Sequence, residues 1–128
     1  MSNEFGKYVE LKRREKGFTL RGFADMTEIA PAYMSDIEKG HRPAPSQDKL
    51  EMIALKLGLT VQEKNILFDF AGATRGKNSV SPDLPEYIMD ESLPSVRVAL
   101  RLARDEKFDN SVWQEVIKIL EDKKKTGG

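Results

Sequence analysis

Between Gly17 and Pro43 two short segments with helical apolar spacing follow one another, with no room for a long loop. Leu20, Phe23, Ala24 and Thr27 mark the first, and Thr19 is a good N-cap for it. Tyr33, Met34 and Ile37 mark the second, which starts near Ala30 or Pro31 and stops at Gly40. Proline suits a first helical turn, because its missing N–H has no partner there anyway. Such a pair predicts two helices joined by a tight turn, the second leading into the basic stretch Lys39-Gly40-His41-Arg42.

The flanking sequence supplies three more helices. Ser2 or Asn3 can cap a first helix running to about Lys16, with Phe5, Tyr8 and Val9 on one face and Gly17 as its stop. Lys12, Arg13 and Arg14 read as a solvated face or as groups near a polyanion, and Glu38 as a locally paired or capping residue. Ser46 opens a fourth helix with an apolar stripe of Leu50, Ile53, Ala54 and Leu57, closed by Gly58. Thr60-Val61-Gln62-Glu63 is a capping box for a fifth, with Ile66, Leu67 and Phe70 inward. Residues 1–72 thus read as one five-helix all-α domain and residues 73–85 as a linker. Residues 86–128 read as a short C-terminal helical region: a piece over Glu86 to Asp90, a helix from Ser92 or Pro94, and a last helix capped by Asp109, Asn110 or Ser111, with a frayed tail of Lys123 to Gly128.

Composition narrows the chemistry. There are no cysteines, so disulfides and thiolate metal sites are excluded, and the single histidine, His41, cannot make a multi-histidine site. No nucleophile–base pair, phosphate loop or metal constellation is visible, so no catalysis and no cofactor are expected. No apolar run approaches the roughly 20 residues that span a bilayer. The start, Met1-Ser2-Asn3-Glu4, carries no secretory pattern, so a cytoplasmic protein with no membrane contact is expected. Basic and acidic residues balance at 21 each, and the balance holds separately for residues 1–72 and 73–128. Any surface for a polyanion must therefore come from local arrangement.

The string Gly17-Phe18-Thr19, Phe23-Ala24, Ile29, Pro31, Tyr33, Ser35, Ile37-Glu38, Gly40, Arg42-Pro43 and Leu57-Gly58-Leu59 resembles the helix-turn-helix family of phage repressors (Cro and lambda-repressor type) and xenobiotic-response-element regulators. The resemblance covers residues 5–72 without gaps. It implies a five-helix fold whose third helix reads double-stranded DNA. Carried over, Thr19, Leu20, Ala30, Pro31, Ala32, Tyr33 and Asp36 face DNA, while Lys39, His41 and Arg42 approach phosphates. Tyr33 and Ser35 can donate to phosphate, although Tyr33 can equally be a packing residue and His41 a plain turn residue. The chain departs from the family at several places. Leu20 and Pro31 stand where side chains able to make bidentate base contacts are common. Ala30 replaces a serine cap, Glu28 replaces the turn glycine, and Lys12 takes an apolar position with Leu11 one place early.

One such motif contacts few base pairs, so a homodimer is expected. The C-terminal stripes are wider than one helix pair covers, which places the dimer contact at Val98, Leu102, Val112, Trp113, Val116 and Ile119. The alternative is that these helices pack back on the domain. The function expected is a transcriptional regulator, most simply a repressor on a palindromic operator. The alternative is a protein-binding module such as an antitoxin, and a protein partner of the protease or toxin kind is implied by analogy alone.

Overall fold

A computed structural model of the chain describes residues 3–76 and 79–127. Ser2, one of the two first-helix caps considered, lies outside the described residues, as do Met1, Lys77, Asn78 and Gly128. The described residues form an all-α fold of eight helices: α1 (Glu4–Glu15), α2 (Leu20–Met26), α3 (Pro31–Lys39), α4 (Gln47–Leu57), α5 (Val61–Ala73), α6 (Pro85–Ile88), α7 (Pro94–Asp105) and α8 (Asn110–Gly127). They divide into two compact units on either side of the Tyr87–Ile88 bond. Among the described residues no helix is long and apolar enough to cross a membrane.

In the first unit the five expected helices are all present. α3 packs against α1 and α2, and α5 against α1 and α4. The core is built from Phe5 and Val9 of α1, Phe23 and Ala24 of α2, Met34 and Ile37 of α3, Leu50, Ile53 and Leu57 of α4, and Leu67, Phe68 and Ala71 of α5. Each fully buried phenylalanine contributes about 2–3 kcal/mol by leaving water. The ends follow the sequence signals in part. The Thr60 hydroxyl accepts from the Glu63 N–H and the Glu63 carboxylate from the Thr60 N–H, which completes the capping box. Gly40 and Gly58 end α3 and α4 in the left-handed conformation. Ser46 precedes α4 without making a side-chain cap. Asn3 likewise makes none for α1; its amide instead donates to the Glu38 carbonyl at 3.2 Å.

Three expectations are corrected here. Ile66 points outward (43% exposed) and Phe68 takes the inward place, because α5 is apolar on both flanks and its buried face is rotated toward Leu67, Phe68 and Ala71. Arg13 is not a solvated residue: it is buried and forms a bidentate pair with Glu38, at 2.8 and 2.9 Å, with a further bond to the Phe18 carbonyl. Glu38 is therefore paired across 25 residues rather than locally. Lys12 bonds Glu63 at 2.6 Å and leaves Leu11 in solvent. Within residues 73–85, Ser81 donates to Asp69 at 2.5 Å, and its backbone lies so near Gly72 that a Cβ there would meet the Ser81 nitrogen at 2.8 Å.

In the second unit α7 and α8 are joined by a turn in which Lys107 takes a left-handed conformation (φ 56°). Asp90 and Asp109 precede the two helices, each accepting from the N–H two residues ahead, at 2.8 Å from Ser92 and 2.9 Å from Ser111. The Ser92 and Ser111 hydroxyls also donate to these carboxylates, and they, together with the backbone bonds, hold both carboxyls below the usual aspartate range. The tail expected to fray instead continues α8 to Gly127.

Candidate nucleic-acid interface

The surface of interest is assembled by the α2–α3 pair and the segment after it. Thr19 is exposed as the N-cap of α2, and its hydroxyl accepts from the Gly22 N–H at 3.0 Å. Leu20, next to it, is half-buried against the core rather than free. The turn then bends at Glu28, whose φ of 57° places a residue with a Cβ where glycine is at ease. Its backbone is fastened from within: the Ile29 N–H bonds the Ala24 carbonyl, and the buried Thr27 hydroxyl donates to the Phe23 carbonyl.

α3 presents an accessible edge. Met34, Ile37 and Glu38 face inward, while Ala30, Ala32 and Lys39 are exposed and Pro31, Tyr33, Ser35 and Asp36 are half-buried. Ala30 makes no side-chain cap and Pro31 has no N–H, so the first turn offers small apolar surface at close approach. The inner face is clamped to α1. The Arg13–Glu38 pair joins the helices, and a Cβ on Gly6 would meet the Ile37 and Glu38 carbonyls at 2.4 and 2.6 Å. The position of α3 is thus fixed by close backbone approach as well as by side chains.

Past α3 the basic side chains gather. Arg42 lies 5.3 Å from the Tyr33 ring and 3.6 Å from the Asp36 carboxylate, and His41 Nδ1 is 3.9 Å from Asp36. Arg42 thereby joins Asp36 and Tyr33 in one partly exposed cluster with His41 close to Asp36, while Ser35, one position before Asp36, has no bond to it among the described residues. Lys39 is exposed with no ion pair among the described residues. The following loop is held by the two residues just past α5: the Ala44 N–H donates to the Thr74 hydroxyl at 2.9 Å, and Arg75 donates to the Ala44 and Pro45 carbonyls at 2.9 and 3.0 Å. Exposed pairs of the Asp36–Arg42 kind hold side chains by only about 0–1 kcal/mol, so Arg42 can be redirected at little cost.

Two basic residues at this face had no place in the sequence reading. Arg21, exposed in the first turn of α2, adjoins Thr19 and Leu20 and was legible from that adjacency. Lys49 of α4 reaches back to the α2–α3 turn, donating to the Glu28 carbonyl at 2.9 Å across 21 residues. No local pattern announces that contact. The six residues expected at a dimer contact all lie in the second unit. Val98, Leu102 and Ile119 are 56–60% exposed, and Val112, Trp113 and Val116 are half-buried.

The helix-turn-helix family model matches residues 9–64, which takes in the second half of α1, all of α2 to α4 with the turn and the basic segment, and the first turn of α5. Among solved structures, one titled as a complex of SinR protein and SinI protein is similar at 20% identity and a TM-score of 0.46, covering 94% of this chain and 98% of that one. No curated protein matches the chain. Over residues 9–64, the chain is similar to the helix-turn-helix family.

Proposed function

We propose that the chain is a sequence-specific DNA-binding transcriptional regulator, acting as a repressor that occupies a palindromic operator as a homodimer. One observation carries the reading: the accessible edge of α3 runs directly into exposed Lys39, His41 and Arg42. An exposed helix with small residues in its first turn fits a major groove, and cations just beyond it fit the flanking phosphates. Pro31 and Ala32 suit contact with a thymine methyl, Asp36 suits a cytosine amino group, and Thr19, Tyr33 and Ser35 suit phosphate oxygens. The homodimer reading is supported by the exposed Val98, Leu102 and Ile119 of the second unit and by its half-buried Trp113. Two-fold pairing sets two reading helices about one duplex turn apart.

Selection of bound fragments from genomic DNA tests the reading, with recovery of a two-fold symmetric sequence as the expected result. Affinity for that sequence should fall steeply with salt. Arg42→Ala should weaken all sequences alike, whereas Ala32→Arg should change which sequence is preferred.

A second reading, a protein-binding module, is favoured by the first turn of α3, where Ala30, Pro31 and Ala32 carry no hydrogen-bonding side chain. Absence of DNA binding even at low salt would select it.

A further inference from the structure

We propose that Lys49 is a positioning residue of the DNA-reading face: its ammonium clasps the α2–α3 turn and so fixes where α3 begins. The inference rests on the DNA-binding reading above and adds a residue that touches no base. Three observations carry it.

The first is the strain. Glu28 sits at φ 57°, a conformation that crowds the Cβ of any residue but glycine. The turn therefore needs support from elsewhere. The second is the set of acceptors. Lys49 Nζ donates to the Glu28 carbonyl at 2.9 Å and approaches the Thr27 carbonyl at 3.4 Å. Both carbonyls lie just past α2, where a helix has acceptors without intrahelical partners and the negative end of its dipole. The turn's own N–H groups go elsewhere, Glu28 to the Asp25 carbonyl and Ile29 to the Ala24 carbonyl. The third is the place of Lys49 itself. It stands in the first turn of α4, where a cation opposes that helix's dipole. Its position is accounted for by what it reaches, since it borders the hollow formed with Ile29, Ala30, Tyr33 and Pro45 at the start of α3.

Replacing the ammonium while keeping the stem (K49M) releases the clasp, and E28G removes the strain the clasp offsets. The two changes must therefore be coupled. The probe is the duplex recovered by selection on the wild-type chain. K49M should weaken its binding about tenfold, the scale of a charge-assisted hydrogen bond. In the E28G background the same change should cost less than about threefold, since the turn then stands unaided. A thermal-unfolding cycle on the same four full-length chains should show the same pattern, with Tm lowered by K49M only where Glu28 is present.

Equal losses in both backgrounds, with the salt slope of binding reduced by about one, overturn the proposal and make Lys49 a phosphate contact. Unchanged binding in K49M overturns it outright. If the wild-type chain selects no duplex at low salt, the DNA-binding reading falls and takes the positioning role with it. The unfolding cycle then still scores the clasp, so the two failures are distinguishable.

Discussion

The two units of the chain are built from the same materials to opposite ends. In the first, amphipathic stripes on five helices close over Phe5, Phe23, Met34, Leu50 and Phe68, each nearly or wholly removed from water. In the second, α7 carries a strongly one-sided stripe and α8 a broad one, yet among the described residues only Ala103 is buried, and Ile117, Ile119 and Leu120 are 54–62% exposed. A stripe stabilises only when something covers it. The first unit finds its cover within the chain, and that supports reading the second as written for a partner.

The comparison breaks most sharply at the Arg13–Glu38 pair. Arg13→Met leaves a buried carboxylate with its guanidinium gone, and the expected loss is about 3–5 kcal/mol in urea unfolding. Arg13→Met with Glu38→Leu removes both charges and should recover much of that loss. A small effect of the single change would mean that α1 and α3 are not locked together by this pair. The second unit contains no such interlock among its described residues, and unfolding there should be insensitive to either change.

A smaller effect is expected from burdening the open stripes. Leu102→Glu together with Ile119→Glu places charge where the proposed dimer needs apolar contact, and should weaken self-association roughly a hundredfold, read by sedimentation equilibrium. Unfolding of the first unit should stay unchanged. An unaltered dimer would move the contact off these residues.

Much of this was legible in the sequence, and the reason is locality. Gly40, Gly58 and the Thr60–Glu63 box announce helix ends because a cap is made within three or four residues. Glu28 stands at a position usually held by glycine, which leaves its conformation open in the sequence, and it takes φ 57°. What escaped was non-local. Arg13 reads as one of three surface cations, because its partner lies 25 residues away. Lys49 carried no sign of its reach to Glu28. On α5, Ile66, Leu67, Phe68 and Phe70 are apolar on neighbouring faces, so spacing alone could not choose the buried one; Phe70 is held half-buried by its edge contact with Tyr8, at 5.7 Å. The reading face was placed from a family pattern, and Leu20, which that pattern puts toward DNA, is packed partly into the core.

Caps sharpen the comparison further, because both units have one and only the first is backed by a core. Thr60→Ala should cost about 1 kcal/mol in the first unit, measured by thermal unfolding. Asp109→Ala removes the acceptor of the Ser111 N–H, and there the loss should appear as faster amide exchange in the first turn of α8 without a shift in the main transition. A fall in the main transition with Asp109→Ala would join the two units into one cooperative body.

The smallest effect is a titration. The Lys12 ammonium bonded to Glu63 at 2.6 Å, together with the Thr60 N–H, brings the Glu63 carboxyl from its ordinary 4.5 down to about 2. A carboxyl lowered on folding stabilises the folded chain once pH is above its unfolded value. This contribution is therefore complete above pH 4.5 and is lost as pH falls through about 2. The same bond raises the Lys12 ammonium, so its share is complete below pH 10.5 and is lost at higher pH. Both windows leave neutral pH inside the stable range. Lys12→Met should flatten the acid limb without removing it, since the Thr60 N–H still favours the charged carboxylate. An acid limb as steep in Lys12→Met as in the parent would assign that limb to other carboxylates of the first unit, and Lys12 would then serve only to keep an ammonium where the family more often has an apolar side chain.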